Sequence, residues 1–402
     1  MEIRPVAREE FRTSIGVFNR AMGFPPPSES YFENWEPAFL PERSLAAFDG
    51  EQLVGNVYSH LFELTLPGAT SIEAAGVTAV GMLPTHKRRG IITELKTRQL
   101  REAKERGEAL AILIASESVI YGRFGYGVSS FLYDVELDTR YGAFRKGLEE
   151  IGGRVVFVDE ETADKIFPEV HERFRKQQPG AIPRTEQWWQ GVRSDRKPGA
   201  HAHVIFENDD GDVEGYLRYE VRSKWDAGLA SSTIAEHDFV TTTSRSRRAL
   251  WRHTLDVDLV RSVQMGGQPV DDPIRWWLAN PRAMKVTRYG DFFWTRILDI
   301  PRSLGARRYR LDTQLVLEID DALFGENSGR YLVDCANASC ERTTREADLS
   351  MSIASLASLY LGGVAASSLA RGGAIKELTD GALARCDAAF SSDVAPWSAT
   401  WF

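Results

Sequence analysis

The sequence has few cysteines: Cys335, Cys340 and Cys386 are the three present in 402 residues, and all lie in its last quarter. Their number and spacing fit neither a disulfide framework nor a Cys/His zinc site, so we predict free thiols, no bound metal and a cytoplasmic protein. The N-terminus has no basic start followed by an apolar stretch, so no signal peptide is predicted. No run of about 18 apolar residues occurs, so no membrane span is predicted either.

The sequence also lacks an excess of basic charge. Its formal net charge is -8, which argues against general affinity for nucleic acids or membrane surfaces. An anionic ligand would therefore need a local binding site. The length and the hydrophobic content of 43% instead predict two or three globular domains with substantial cores.

The first 140 residues carry alternating helix and strand signals. The segment "REEFRTSIGVFNRAM" has the apolar spacing of a helix, and we interpret the proline-rich "GFPPPSESYFENWEP" after it as a loop. Extended segments follow, turning at Asp49-Gly50 and ending at Pro84. A helix is predicted after Gly90, with Gly107 at its C-terminal cap, and "EALAILIAS" is apolar on both faces like a buried strand. This order indicates an α/β layout.

A second unit is predicted from about residue 150 to 290, and it contains a weak internal repeat. The segment Ala235–Val260 again has an extended run, then arginines, then a helix, but it lacks the glycine. We interpret it as a repeat whose site has been lost. The last hundred residues change to paired strands and a helical stretch of small residues broken at Gly362-Gly363.

The basic run "HKRR" directly precedes Gly90. If it joins a strand to a helix, backbone N–H groups and the helix dipole are available to an anion there, and glycine leaves the backbone open to a pyrophosphate. A solvated basic turn that merely starts a helix fits the run equally well. The sequence has no G-x-x-x-x-G-K-[ST] motif, and a lone glycine is not a dinucleotide-binding fingerprint.

The order of these elements resembles a known family. Strand "AVGMLP", basic turn, helix, strand "LAILIAS" and "YGRFGYG" resemble the acetyl-CoA site of GNAT-superfamily N-acetyltransferases. The loop pattern R/Q-x-x-G-x-G/A reads KRRGII here, with lysine first and isoleucine where a small residue is usual. "PTHKRRGIITEL", "ASESVIYGRFGYG", "DDPIRWWLANPR", "SLASLYLGG" and the terminal Phe402 resemble more closely the Eis-type acetyltransferases of actinobacteria, over essentially the whole chain.

The resemblance implies an α/β (α+β) architecture of three domains. These are a GNAT domain over 1–140, a degenerate GNAT-like domain over 141–290 and a sterol-carrier-protein-like domain over 291–402. The family uses acetyl-CoA as co-substrate and acetylates amines of aminoglycosides, lysine side chains or related polyamines. A homohexamer is a further family expectation.

The resemblance also assigns the cofactor groove residue by residue. The strand Val80, Gly81 and Met82 would offer backbone groups to the pantetheine arm and the thioester, and a donor there would stabilise the oxyanion. Ser116 and Glu117 would complete the groove, although Ser116 could equally be a helix N-cap. The pyrophosphate would lie on Arg88, Arg89, Gly90, Ile91, Ile92 and Thr93.

Two catalytic groups follow from the resemblance. Tyr121, rather than Tyr126, occupies the position that protonates the coenzyme A sulfur, and a phenol with a pKa near 10 stays protonated at neutral pH. The general base would be the α-carboxylate of Phe402. Its ordinary pKa is about 3.5, and burial beneath aromatic side chains would raise that pKa. His60 and His86 are bases by chemistry alone, and Phe402 could instead be a docked hydrophobic terminus.

The amine would meet Phe24, Trp35 and Trp401 as substrate-binding residues. Three carboxylates in the same stretch as Phe24 and Trp35 predict an acidic wall for polycations: Glu29, Glu33 and Glu36. However, Pro25–Pro27 and Trp401 leave few acids near the expected site, which would favour less cationic amines.

Other functions fit parts of the chain. A lipid or sterol carrier is suggested by the last third, although its strands carry Asp312, Glu318, Asp320 and Asp321, which do not suit an apolar tunnel. A scaffold that binds acyl-CoA without turnover is a second alternative, against which Gly90 and Tyr121 argue. Transfer of a longer acyl chain is a third.

Overall fold

The computed structural model describes residues 1–194 and 199–402, and it has the predicted mixed α/β fold. The helices are α1 Phe11–Met22, α2 Glu29–Trp35, α3 Ile91–Glu105, α4 Ser118–Tyr121, α5 Glu160–Arg175, α6 Glu186–Ser194, α7 Ser244–Leu255, α8 Ile274–Trp277, α9 Ile300–Ala306, α10 Ile353–Leu359, α11 Ala366–Arg371 and α12 Ala382–Phe390.

The strands of these described residues form three main sheets and one small ribbon. They are β1 Glu2–Arg4, β2 Ser44–Asp49, β3 Gln52–Leu66, β4 Thr70–Met82, β5 Leu110–Ile114, β6 Gly127–Val128, β7 Phe131–Asp138, β8 Arg154–Val158, β9 Ala202–Glu207, β10 Val213–Arg222, β11 Trp225–Asp226, β12 Leu229–Ala230, β13 Ser232–Thr241, β14 Val260–Pro269, β15 Met284–Asp291, β16 Phe293–Ile297, β17 Gln314–Asp320, β18 Gly329–Asp334, β19 Ser339–Arg342, β20 Leu349–Ser352 and β21 Ile375–Glu377.

The first sheet has the order β1-β2-β3-β4-β5-β16-β6. Its strands β4 and β5 are parallel and are joined by α3, as the sequence predicts. Helix α1 packs on β3 and β4 through the buried side chains of Phe11 and Ile15, which lie one turn apart. The predicted loop after α1 is wrong in part, because Ser28 accepts the N–H of Tyr31 and so starts helix α2.

The second sheet has the order β15-β7-β14-β13-β10-β9-β8 and repeats the first. Strands β13 and β14 are parallel and are joined by α7, which confirms the internal repeat. The two sheets exchange strands: β7 pairs with β14 in the second sheet, whereas β16 pairs with β5 in the first. The boundaries after residues 140 and 290 stay predictions, since each sheet is built from separated parts of the chain.

The third sheet has the order β19-β18-β17-β20-β21, and its helices share a core with the first sheet. Asp321, one of the acids expected to spoil an apolar tunnel, is buried in an ion pair with Arg296 of β16, with Nη2 and Oδ2 2.6 Å apart. This carboxylate therefore joins the third domain to the first sheet. Among the described residues, no helix combines the length and the apolar character needed to cross a membrane.

Candidate active site

The N-terminus of α3 is exposed. Gly90 is its N-cap residue, with φ +79°, and no side chain caps the helix there. The first N–H groups of an α-helix have no acceptor within the helix, so those of Ile91 and its successors are available. Apart from residues 89–91, no atom of the described residues lies within 4 Å of the place where a Cβ of residue 90 would stand, and Arg88 and Arg89 are exposed. The loop therefore suits a phosphate group.

The equivalent site at α7 is already filled by the protein itself. Thr243 caps this helix, and the carboxylate of Glu214 accepts hydrogen bonds from Thr243 Oγ1 and Arg245 Nε, each over 2.7 Å. These donors, above all Arg245, lower the pKa of Glu214 to about 2. A fixed carboxylate thus stands beside the N-terminus of α7, which agrees with the prediction that the repeat has lost its site.

A gap opens between β4 and β5, the two strands that α3 joins. The two strands pair only from Ala74 to Gly76 of β4. Beyond Gly76, β4 bulges at Ala79, where φ is +49°, while its other edge stays paired with β3 through Gly81 and Met82. Among the described residues, the edge of β4 that faces β5 therefore has no strand partner from Val77 onward. Val80, Gly81 and Met82 lie along this open edge.

Tyr121 lies on one face of the first sheet, in the same buried cluster as Ala75 and Val77 of β4. Burial raises the pKa of its phenol, while a hydrogen bond with Ser116 opposes the rise. The N-cap of α4 is Glu117 rather than Ser116, and neither side chain of this exposed pair caps the helix. The alternative reading of Ser116 as a helix cap is therefore wrong.

Tyr126 has a different environment from Tyr121, although the two ring centroids are 5.9 Å apart. Its hydroxyl accepts a hydrogen bond from Lys96 Nζ over 3.3 Å, and both side chains are wholly buried. Burial raises the pKa of Tyr126 and lowers that of Lys96 to about 7. Tyr126 thus packs in the core, as expected, and the burial of Lys96 on α3 was not predicted.

Phe402 lies on the opposite face of the first sheet from Tyr121. Its ring packs against Phe62, with centroids 4.9 Å apart, and its edge is 3.3 Å from where a Cβ of Gly76 would stand. Since successive side chains of a strand point to opposite faces, Gly76 faces Phe402 whereas Ala75 and Val77 face Tyr121. The two predicted catalytic residues therefore flank β4 where it parts from β5.

The second GNAT-like unit holds the C-terminal segment in place. Trp188 of α6 donates its indole N–H to the carbonyl of Trp401 over 3.2 Å. Arg184 donates to the carbonyl of Ala399 over 2.7 Å and to Thr400 Oγ1 over 3.1 Å. These contacts fix the terminus between the two units.

A cavity of about 260 Å³ opens beside Phe402. Helix α1, strand β3 and the C-terminal segment build it, and its lining includes Phe11, Ile15, Phe18, Trp35, Phe39, Asn56, Tyr58, His60, Phe62, Thr78, Trp188, Trp401 and Phe402. Trp35 and Trp401 are thus brought to one site. Phe24 instead lines an adjoining groove of about 330 Å³, which shares Trp35 with the cavity.

The predicted acidic wall does not reach the cavity. Glu29 and Glu36 both pair with Arg12, at 2.8 and 3.0 Å, and Glu33 is exposed. Since none of these carboxylates lines the cavity, the acidic wall was a wrong expectation. Their partner Arg12 lies upstream on α1, where no local pattern indicates the pairing.

His60 and His86, the two histidines considered as possible bases, have separate roles. His86 is buried in the basic turn, where its ring nitrogens contact Thr85 Oγ1 at 2.8 Å and Asp49 Oδ2 at 3.2 Å. His60 lines the cavity, and burial together with the charge of Arg43 lowers its pKa to about 4. His86 is thus part of the turn's structure, whereas His60 is a neutral cavity residue.

Sequence reasoning missed most of the cavity wall supplied by β3. Asn56, Tyr58 and Phe62 alternate along this strand together with His60, so all four face the cavity. The period of two in "NVYSHLF" is a signal that could have revealed this wall. Trp188 carried no comparable local signal, because it reaches the site from the second unit.

Comparison with known protein families identifies the class of protein to which this chain belongs. Models of the acetyltransferase (GNAT) domain match residues 2–129 and 180–297, and a sterol carrier protein domain matches residues 300–399. Together with the two strand–helix–strand units described above, β4–α3–β5 and β13–α7–β14, these matches define a tandem GNAT acyltransferase with a sterol-carrier-type third domain.

Individual relatives give the family. An uncharacterized N-acetyltransferase of Streptomyces avermitilis is 36% identical over 100% of this chain and 99% of its own length. The N-acetyltransferase Eis of Mycobacterium tuberculosis is 32% identical over 86% of this chain and 85% of its own. The crystal structure of Eis1 from Mycobacterium abscessus matches with a TM-score of 0.90 and 33% identity, covering both chains completely. The chain belongs to the Eis-type family of GNAT N-acetyltransferases.

Proposed function

We propose that this N-acetyltransferase moves an acetyl group from acetyl-CoA to a primary amine, with Tyr121 as general acid and the terminal carboxylate of Phe402 as general base. The observation that carries the proposal is the position of these two residues on opposite faces of β4, at its gap with β5. A thioester in that gap would be reached from one face by the amine and from the other by the phenol.

Acetyl-CoA supplies the activated acetyl group. The open N-terminus of α3 suits its pyrophosphate, through the backbone N–H groups of residues 90–93 and the charges of Arg88 and Arg89. The unpaired edge of β4 along Val80–Met82 suits the pantetheine arm and the thioester carbonyl. Ser116 and Glu117, just beyond β5, would close the groove.

The proposal assigns one proton transfer to each of the two residues. The Phe402 carboxylate accepts a proton from the attacking amine as the new N–C bond forms. Tyr121 donates its phenol proton to the sulfur as the C–S bond breaks, which leaves coenzyme A as the thiol. Because burial raises the pKa of Tyr121, the phenol holds its proton at neutral pH until that step.

The proposal also covers the acceptor substrate, the oligomeric state and the cellular location of the protein. The acceptor would be a small-molecule or peptidyl amine, and the resemblance makes aminoglycosides, lysine side chains and polyamines the range to assay. The domain limits at 140 and 290, the homohexamer and the cytoplasmic setting enter the proposal as predictions from the sequence. The similarity to the Mycobacterium tuberculosis and Mycobacterium abscessus proteins supports the activity.

The test compares Tyr121→Phe with Tyr126→Phe. Loss of a general acid lowers kcat by roughly 100-fold or more, so Tyr121→Phe will be slow while its affinity for acetyl-CoA by calorimetry stays at the wild-type value. Tyr126→Phe removes a neighbouring phenol and will keep kcat within about tenfold of wild type. Equal loss of kcat in both variants, or a parallel loss of affinity in Tyr121→Phe, would refute the assignment.

A second test addresses the base. One glycine added after Phe402 converts its carboxylate into an amide and will abolish turnover, whereas a tag at the N-terminus will not. An extended enzyme with wild-type kcat would remove the carboxylate from the mechanism.

A further inference from the structure

Strand β4 carries one extra residue against its neighbour β3. The pairing runs from Tyr58 opposite Thr78 to Asn56 opposite Gly81, so β4 advances by three residues where β3 advances by two. This is a β-bulge, and its first residue is Ala79, with φ +49°. In the type of bulge whose first residue is left-handed, that residue is ordinarily glycine, because a Cβ disfavours a positive φ. Alanine here raises the free energy of the bulge, which a further contact has to offset.

The side chain of Asn56 supplies such a contact. Its Nδ2 donates to the carbonyl of Ala79 over 2.9 Å, and Asn56 is only 3% exposed. The hydrogen bond therefore joins β3 to the extra residue itself, which a bulge leaves unpaired in the ladder of the two strands. Because the bond is buried, water does not readily replace it, and its loss would leave the Ala79 carbonyl short of a partner. The side chain of Asn56 thus favours the bulged form of β4 over a regular strand.

The bulge determines which backbone groups of β4 face the gap with β5. In an antiparallel pair, the N–H and C=O of one residue point to the partner strand and those of the next residue point away from it. One extra residue therefore turns the groups that follow it from one edge of β4 to the other. Val80–Met82 follow Ala79 directly, and theirs are the groups proposed to contact the pantetheine arm and the thioester carbonyl.

Helix α1 packs on the same bulged form of β4. A Cβ on Gly81 would lie 3.0 Å from the Cα of Phe18, so the close approach of α1 requires glycine at this place. A regular strand would put Val80 instead of Gly81 opposite Asn56, with its side chain towards α1. The packing of α1 and the hydrogen bond from Asn56 to Ala79 therefore select one register.

The second unit shows that a bulge at this point does not require a left-handed residue. There β13 bulges against β10 with His237 as the extra residue, and the φ of His237 is not positive. This is the unit in which a carboxylate stands beside the N-terminus of α7. The left-handed Ala79 and its bond from Asn56 thus belong to the unit that carries the candidate acetyl-CoA site.

We propose that Asn56 is a positioning residue for acetyl transfer: its side-chain N–H holds the bulge at Ala79 and thereby directs the backbone of Val80–Met82 at the thioester. The inference rests on the proposed function. In this role Asn56 acts through Ala79 and contacts no reacting atom. Its Oδ1 is buried and has no hydrogen-bond partner among the described residues, so the bond from Nδ2 is what fixes the amide group.

The first experiment compares Asn56→Ala with Ser303→Ala, by thiol release with spermidine and with kanamycin as acceptors. Ser303 Oγ also donates to a buried backbone carbonyl, that of Ala109 over 3.2 Å, but it lies on α9 outside the site. The kcat of Asn56→Ala will fall roughly tenfold, the factor that one buried hydrogen bond contributes to a conformational equilibrium. Its Kd for acetyl-CoA by calorimetry will change less, because the N-terminus of α3 is intact. Ser303→Ala will keep the wild-type kcat, and a wild-type kcat in Asn56→Ala would overturn the inference.

The double variant Asn56→Ala/Ala79→Gly tests the physical cause. Glycine adopts a positive φ without the steric cost that alanine carries, so the second substitution will restore kcat by roughly tenfold over Asn56→Ala alone. If Asn56 instead bound the amine through Oδ1, Asn56→Ala would raise KM for the amine and Ala79→Gly would restore nothing. Absence of recovery in the double variant would therefore overturn the inference and leave the acetyltransferase activity in place.

Amide hydrogen exchange without acetyl-CoA tests the bulge apart from turnover. Gly81 and Met82 pair with β3 just beyond the bulge, so we expect them to exchange faster in Asn56→Ala than in wild type or in the double variant. Unchanged exchange in Asn56→Ala would overturn the inference. Failure of the wild-type enzyme to acetylate spermidine, kanamycin or a lysine peptide would refute the proposed function, whereas the exchange rates would still decide whether Asn56 holds the bulge.

Discussion

Replacement of Gly90 by alanine separates cofactor binding from backbone strain. Alanine at φ +79° costs the fold about 1–2 kcal/mol, because a Cβ disfavours this left-handed conformation. No steric clash with more distant parts of the described chain is added, since none of their atoms lies within 4 Å of the new Cβ. The methyl group does stand where a phosphate would approach the N–H groups of α3. Loss of one hydrogen bond to a charged group costs roughly 1.5–3 kcal/mol, so the Kd of acetyl-CoA will rise about 10-fold to 100-fold.

Gly147 provides the matched control. Its φ is also +79°, and it is exposed in the segment before β8. Apart from residues 146–148, no atom of the described residues lies within 4 Å of the place where its Cβ would stand. Gly147→Ala and Gly90→Ala will therefore lose similar free energies of unfolding in urea titrations. Only Gly90→Ala will lose affinity for acetyl-CoA by calorimetry. The same Kd in both variants would refute the phosphate site at α3.

Two further predictions concern a position on β4 and a position on β13. Gly76→Ala drives a methyl group into the ring of Phe62 and against Phe402. We therefore expect a loss of about 1–3 kcal/mol in the free energy of unfolding and a fall in kcat, with unchanged affinity for acetyl-CoA. A wild-type kcat would contradict the placement of Phe402. Glu236 on β13 has a pKa raised from 4.5 to about 8, chiefly by burial. Between these pH values its carboxyl group is protonated in the folded state and ionised in the unfolded state. The free energy of unfolding therefore falls as the pH rises from 5 to 8. Glu236→Gln will remove that fall and be more stable than wild type at pH 8 by roughly 1–3 kcal/mol in urea titrations, whereas a difference independent of pH would contradict the shift.

The sequence predicted the elements whose signals are local. The unit β4–α3–β5 was found because a strand end, a glycine and an apolar helix face follow one another within forty residues. Helix α2 was missed because Pro25–Pro27 outweighed the Ser28 cap. Lys96 was missed because apolar periodicity does not register a polar residue on the buried face.

The long-range features could not be read from the sequence. Strand β7 pairs with β14, and β16 pairs with β5, across more than a hundred residues of sequence. No turn or residue spacing in the sequence therefore predicts that the two sheets exchange strands. The pairing of Glu29 and Glu36 with Arg12 likewise depends on how α1 and α2 meet. The acidic wall was predicted from three glutamates in one stretch of sequence, which does not show where their side chains lie, and none of them lines the cavity.

The position of acetyl-CoA in a crystal structure of the complex tests the central claim most directly. The account predicts its diphosphate within hydrogen-bond distance of the N–H groups of residues 90–93, and its thioester in the gap between β4 and β5, with sulfur towards Tyr121 and acetyl group towards Phe402. A diphosphate bound elsewhere, or a gap closed by side chains with the cofactor present, would contradict it.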